Sequence, residues 1–321
     1  MNAGIGGSTI EAELKAAENT NLAASASPIT KSEHLARIKM VQDLMTAQGI
    51  AALYLDATTS LAYFTGMKAY QSERLLGAVI PADGDLFYIC PKFETETVKD
   101  KMKIEGQVFG WEENESPYQL LCDTLSKICP PASKIALDDK TPFFVVDGLQ
   151  KRQSGFDFVN GADLIHGLRR CKSDQEIALM QTAKNLTLEV QKAAARILYE
   201  GIPTAEVVKF IDDMHRKLGA DNGSTFCIVL FGEATAYPHG VSYEQYLKPG
   251  DMVLIDTGCT IQGYHSDITR SYCFGEPSDR QREIWNLEKQ AQLAAFDAAQ
   301  IGNSCAHVDH MARKIIESGG L

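Results

Sequence analysis

The chain has 321 residues, 45% hydrophobic and 23% charged, with a formal net charge of −11 at pH 7. At roughly 150 residues per domain, this length predicts two domains, each large enough to bury a core. The acidic balance argues against nucleic acid or an anionic membrane surface as a main partner, since both need a basic footprint.

The first residues, MNAGIGGSTIEAELKAAENT, lack the basic and apolar regions of a secretory signal. No apolar run approaches the ~18 residues that cross a bilayer. Residues 1–30 are rich in Ala, Ser, Asn, Gly and Thr. They fit a short helix around residues 10–17 or a loose segment, and no function is expected there. Gly4-Ile5-Gly6-Gly7 follows no strand, so it is not read as a phosphate loop.

From residue 33 to about 165, helix-like and strand-like runs alternate. EHLARIKMVQDLMTAQG reads as a helix ending at Gly49, and IAALYLD as the strand after it. LLGAVIP and DLFYIC are strand-like runs around a turn at Asp83-Gly84-Asp85. QVFGW and KIALDD follow, with helical stretches near 117–128 and 141–152. Interleaved strands and helices predict an α/β layer.

Ser173-Asp174-Gln175-Glu176 is a capping box that opens a new helix. Behind it, Leu179, Ala183, Leu186, Val190, Ala193 and Ile197 form one buried stripe. A second helix carries Val207, Ile211, Met214 and Leu218, with Gly219 just past its end. STFCIVLFG, MVLIDTG and GYHSDITRSYCFG then read as strands, and helices are expected at about 279–300 and 304–318. The eight cysteines include no C-x-x-C pair, which argues against a zinc knuckle or thioredoxin-type motif. Reduced, mostly buried thiols of a cytoplasmic protein fit them.

The segment LKPGDMVLIDTGCTIQGYHSDITRSYCFG carries the clearest chemistry. MVLID is a strand, residues 258–263 can reverse the chain, and YHSDITRSYCF returns. Alternation puts Met252, Leu254 and Asp256 on one face, and His265, Asp267, Thr269 and Ser271 on one face. If the hairpin sets Asp256 beside Asp267, their Cβ atoms lie ~5 Å apart. Two carboxylates so close repel, and a divalent cation pair would relieve that strain. The plain alternative is two solvated turn residues. Tyr237-Pro238-His239-Gly240 holds a histidine in a loop before the hairpin, suited to acid–base work or simply exposed. His307 and His310 are not in an H-E-x-x-H pattern and read as an exposed helix face.

VLIDTGCTIQGYHSDITRSYCFG resembles the strand pair of the pita-bread metallopeptidases, the family of Xaa-Pro dipeptidase, aminopeptidase P and creatinase-like proteins. Pro238-His239-Gly240, LRRCKSDQEIALMQTAKN and GIPTAEVVKFI fit the same pattern, and the N-terminal half resembles the family's smaller α/β domain. The resemblance implies an N-terminal extension over 1–32 and a creatinase-like α/β domain over 33–168. A partial pita-bread domain, α+β in class, would follow over 169–321. It implies two divalent metal ions, most readily Mn²⁺ with Co²⁺ or Zn²⁺ as substitutes, with Asp256 on one ion and Asp267 between both. His239 would contact the substrate, and Thr269 and Arg270 would orient the second aspartate.

The implied substrate is a proline-containing peptide, and the family commonly forms homodimers. In the family, one further histidine and two glutamates complete the ligand set. They come after a helix resembling HVDHMARKIIESGGL, where this sequence stops. A truncated chain, inactive alone, with MVLID deprived of its partner strands, is therefore expected. A metal-free binding protein on this fold and a creatinase-like amidinohydrolase stay open as alternatives.

Overall fold

The computed structural model describes residues 4–321. Residues 4–26 and 178–321 form one compact unit, and residues 27–177 another. The chain opens with α1 (Ile10–Ala16), whose first turn is capped by the Thr9 hydroxyl accepting from the Ala12 amide.

The 27–177 unit begins with α2 (Lys31–Gln48), stopped by Gly49 in the left-handed region. It continues with β1 (Ile50–Asp56), α3 (Thr59–Thr65), β2 (Gly77–Pro81), β3 (Phe87–Pro91), α4 (Thr95–Lys101) and β4 (Gln107–Trp111). It ends with α5 (Pro117–Ser126), β5 (Lys134–Leu137), α6 (Phe143–Gln150), β6 (Asp157–Asn160) and α7 (Ala162–Arg169). The six strands lie in the order β4-β3-β2-β1-β5-β6, with β1 antiparallel to β2 and parallel to β5. Both sheet faces are covered, which is why IAALYLD is apolar without alternation. Leu53 and Leu55 pack with Val41, Phe64 and Ile165 on one side. Ala52 and Tyr54 pack with Leu121, Leu125 and Leu149 on the other.

The second unit follows the capping box: the Ser173 amide donates to Glu176 Oε2, and the Glu176 amide to Ser173 Oγ. Its elements are α8 (Asp174–Arg196), α9 (Thr204–Lys217), β7 (Ser224–Phe231), β8 (Met252–Ile261), β9 (Tyr264–His265) and β10 (Ile268–Cys273). The helices α10 (Asp279–Ala298) and α11 (Cys305–Ser318) follow. The expected stripe of α8 is buried from Leu179 to Ile197, as are Val207, Ile211, Met214 and Leu218 of α9 and its end. Residues 4–26 join this unit through Arg196, whose guanidinium donates to both Glu13 oxygens at 2.9 and 2.7 Å.

The sheet of this unit runs β10-β8-β7, all antiparallel, with β9 also on β8. MVLID therefore lies in the central strand with a partner on each side, against the expectation that it lacks them. Reversal falls within the expected residues 258–263, at their very end. β8 runs on to Ile261, and the turn is Gln262-Gly263, both at positive φ (53° and 84°). That is the twist of a two-residue type I′ turn. The Asp221 carboxylate accepts both turn amides, at 2.9 and 2.8 Å. Among the described residues, no helix is long and apolar enough to cross a membrane.

Candidate metal centre

From its turn the hairpin keeps one register: Ile261 opposite Tyr264, Thr260 opposite His265, Thr257 opposite Ile268, Asp256 opposite Thr269 and Met252 opposite Cys273. Asp256 thus faces Thr269 and not Asp267. Continuing the register sets Asp267 opposite Gly258, outside the paired segments and diagonal to Asp256. Diagonal neighbours on one face lie about 7–8 Å apart, so the close pairing expected from the sequence gives way to a wider one. Gly258 is required here: a Cβ on it would fall 2.0 Å from the Ser266 carbonyl oxygen.

The burial of β8 alternates. Val253, Ile255 and Thr257 are buried, while Met252, Leu254 and Asp256 are half-buried on the other face. Asp256 sits between Ile228 of β7 and Thr269 of β10. Its Oδ1 is fully buried and has no hydrogen-bond partner among the described residues. A carboxylate oxygen removed from water without a donor is costly, and a cation satisfies it as well as a donor does. Asp267 is exposed. Two oxygen donors of this kind suit a hard divalent cation.

The other residues singled out from sequence are placed as follows. Thr269 lies beside Asp256 across the ladder. Arg270 Nη1 donates to the Thr269 carbonyl at 2.8 Å, and among the described residues no hydrogen bond or ion pair joins it to Asp267. His239 is exposed on the loop between β7 and β8, in a turn closed by the Gly240 amide on the Tyr237 carbonyl. His307 and His310 are exposed on α11. Among the described residues, no three His, Cys, Asp or Glu side chains gather as a metal-binding group.

Sequence reasoning passed over a polar layer beneath the hairpin. Gln191 of α8 donates from Nε2 to the Ile255 carbonyl at 3.0 Å and the Ile268 carbonyl at 2.9 Å. Thr187 Oγ1 lies 2.7 Å from Ser266 Oγ and 3.1 Å from His215 Nε2. His215 Nδ1 lies 2.9 Å from Ser224 Oγ, and the Cys259 amide donates to Ser266 Oγ at 2.9 Å. Burial holds the His215 imidazole down to about 4, so it is neutral at pH 7, with one nitrogen donating and the other accepting. The available signal was the pair Thr187 and Gln191, four apart and each one place after a stripe residue.

The profile of metallopeptidase family M24 matches residues 178–321, and that of the creatinase/prolidase N-terminal domain matches residues 37–171. An uncharacterized peptidase of Staphylococcus aureus (strain USA300) is 30% identical over 289 residues, 89% of this chain and 80% of that protein. The chain belongs to metallopeptidase family M24. Among solved structures, this M24 chain is similar to a prolidase from Thermococcus sibiricus, with TM-score 0.81 and 26% identity. That match covers 89% of this chain and 78% of the prolidase. The dipeptidase PepE of Mycobacterium ulcerans matches with TM-score 0.82 and 27% identity over 92% of this chain and 79% of its own. The M24 chain therefore has the prolidase-like, pita-bread arrangement, a creatinase-type N-terminal domain followed by the peptidase domain. M24 membership makes it a peptidase-family protein, of a family that uses divalent metal ions and takes peptides as substrates.

Proposed function

We propose that this M24 chain serves a metal-dependent peptidase that cleaves Xaa-Pro bonds, as an Xaa-Pro dipeptidase or aminopeptidase P. Asp256 and Asp267 would hold two divalent cations, Mn²⁺ first among them. The observation that carries the metal reading is the Asp256 Oδ1 atom, buried without a hydrogen-bond partner among the described residues, on the face that the hairpin register shares with Asp267. The prolidase likeness supports the choice of proline peptides.

When bound, such ions supply Lewis-acid polarisation of the scissile carbonyl and make water acidic enough to attack it near neutral pH. The protein's own groups do the remaining work in this reading. Asp256 offers a pre-placed, half-buried carboxylate on a central strand, so little ordering cost is left for binding. Asp267, exposed between β9 and β10, would offer a second carboxylate to the cations. His239, on its exposed loop, binds the substrate or the charge that develops on its carbonyl. Thr269 borders Asp256, and Thr269 and Arg270 shape the return strand. Two carboxylates alone hold Mn²⁺ weakly, because affinity follows ligand number and preformed geometry.

The test is Mn²⁺-dependent proline release from an Xaa-Pro dipeptide, read beside Mn²⁺ binding by electron paramagnetic resonance. Asp267→Asn and Asp256→Asn should each weaken binding, and any turnover should vanish in Asp267→Asn. Undiminished binding in both variants sinks the ligand assignment. Hydrolysis of dipeptides without proline at equal rate sinks the specificity.

A further inference from the structure

We propose that Thr187 and Gln191, one turn apart on α8, are positioning residues that fix the two carboxylates of the candidate metal centre from beneath the sheet. The inference rests on the reading of Asp256 and Asp267 as cation ligands.

Asp267 lies in the short break between β9 and β10, where strand pairing alone does not hold it. The α8 side chains hold the residues on either side of Asp267, Ser266 through its hydroxyl and Ile268 through its backbone carbonyl. Thr187 Oγ1 bonds Ser266, the residue before Asp267, at 2.7 Å. Gln191 Nε2 bonds the carbonyl of Ile268, the residue after it, at 2.9 Å. The second N–H of the same amide reaches the carbonyl of Ile255, the residue before Asp256, at 3.0 Å. One planar amide therefore ties the two carboxylate-bearing strands together at the point where both carboxylates leave them.

The chemistry of these positions argues that the grip is there for geometry. Thr187 is fully buried and Gln191 is 5% exposed, within a stripe otherwise apolar from Leu179 to Ile197. An apolar side chain at either place would bury well and bring no polar atom of its own into the core. Gln191 instead leaves its Oε1 buried with no partner among the described residues. Such an atom costs stability. What the amide provides in return is direction: its two N–H groups diverge at a fixed angle and accept only one spacing of the two strands. The neutral His215 extends the same network, with Nε2 3.1 Å from Thr187 Oγ1 and Nδ1 2.9 Å from Ser224 Oγ of β7.

The experiment uses the full chain with Gln191→Met and Thr187→Val, which keep volume and remove the donors. Ile211→Val, in the same core but off the hairpin, is the control, and Thr187→Ser keeps the hydroxyl. Two quantities are read: hydrogen–deuterium exchange over residues 264–271 without metal, and Mn²⁺ affinity by electron paramagnetic resonance. Exchange should quicken over 264–271 alone, and affinity should fall about tenfold or more in Gln191→Met and Thr187→Val. Thr187→Ser should return to the parent values on both. Exchange like that of Ile211→Val overturns the proposal, as does quickened exchange with parent affinity. Should one variant fail to fold, the other decides alone. If Asp256→Asn and Asp267→Asn bind Mn²⁺ as the parent does, the metal reading itself has failed and the positioning role falls with it. If they lose affinity while Gln191→Met and Thr187→Val keep it, only the positioning role has failed.

Discussion

Asp256 shows what a single side chain costs when it is placed for a ligand. Its Oδ1 is buried without a hydrogen-bond partner among the described residues, on a strand whose neighbours at that level are Ile228 and Thr269. A neutral amide is cheaper to bury there than a carboxylate. Asp256→Asn should therefore raise metal-free stability by about 1 kcal/mol, within the ordinary cost of an unsatisfied buried polar atom. Saturating Mn²⁺ should reverse the order, since only the parent gains from binding. Thermal melts of the two proteins with and without Mn²⁺ check this; the same order in both conditions would remove the cation from the account. Gly258 makes the complementary case, a residue defined by the side chain it lacks. A Cβ 2.0 Å from the Ser266 oxygen forces the strands apart, so Gly258→Ala should cost roughly 1–3 kcal/mol, the range of an overpacked core. Denaturant midpoints would reveal it, and a loss under a few tenths would mean the hairpin yields easily.

Among the elements, the long helices of the second unit were the clearest in sequence. α8, with 23 residues, and α9, with 14, repeat their apolar stripe often enough to be read, and each expected stripe residue is buried. α3, α4 and α7 have only 7, 7 and 8 residues, and β6 has 4, too short for a period to declare itself. The hairpin was read as a hairpin, yet its register was not. Spacing between Asp256 and Asp267 says nothing of which residues oppose one another until the turn is located. Gln262-Gly263 is a weak turn signal, because glutamine at positive φ is not the asparagine or aspartate such turns favour. The Asp221 carboxylate makes up for it by accepting both turn amides, a long-range contact invisible in sequence. Asp221→Ala should accordingly loosen the turn, with faster hydrogen exchange at residues 260–265 and a stability loss of about 1 kcal/mol, since both exposed amides can turn to water. Unchanged exchange would mean the turn holds itself. The polar layer of Thr187, Gln191 and His215 was missed for the same reason: its meaning lies in partners some 30 to 80 residues away.

Across the whole molecule, buried histidines and buried carboxyls push stability in opposite directions as pH falls, and the 27–177 unit holds both, since burial also lowers His34 below 6.5. In the 4–26 and 178–321 unit, burial lowers His215 from 6.5 to about 4. The unfolded chain binds a proton below 6.5 that the folded unit refuses, so stability drops as pH falls from 6.5 toward 4. Between pH 7 and pH 5 that drop is about 2 kcal/mol at one pKa unit per 1.36 kcal/mol. In the 27–177 unit, Asp56 and Asp138 are buried at the ends of the parallel strands β1 and β5. Asp56 accepts from Tyr54, Ala57 and Gln71, and Asp138 from Thr58 and Lys140 N–H. Burial outweighs these bonds and raises both carboxyls above 3.8. Their favourable contribution is complete below 3.8 and is lost as pH rises through the raised values, so acidification returns it. The two tryptophans report the units separately. Trp111 is buried in the first, with its indole N–H on the Leu75 carbonyl, and Trp285 bonds the Ser271 carbonyl in the second. In Trp111→Phe, fluorescence-detected unfolding should weaken from pH 7 to pH 5, and His215→Gln should flatten that change. In Trp285→Phe, where Asp56 and Asp138 oppose His34, the weakening should be smaller, and Asp56→Asn should enlarge it. Equal shifts in both single-tryptophan proteins would show that other groups, and not these buried ones, govern the acid response.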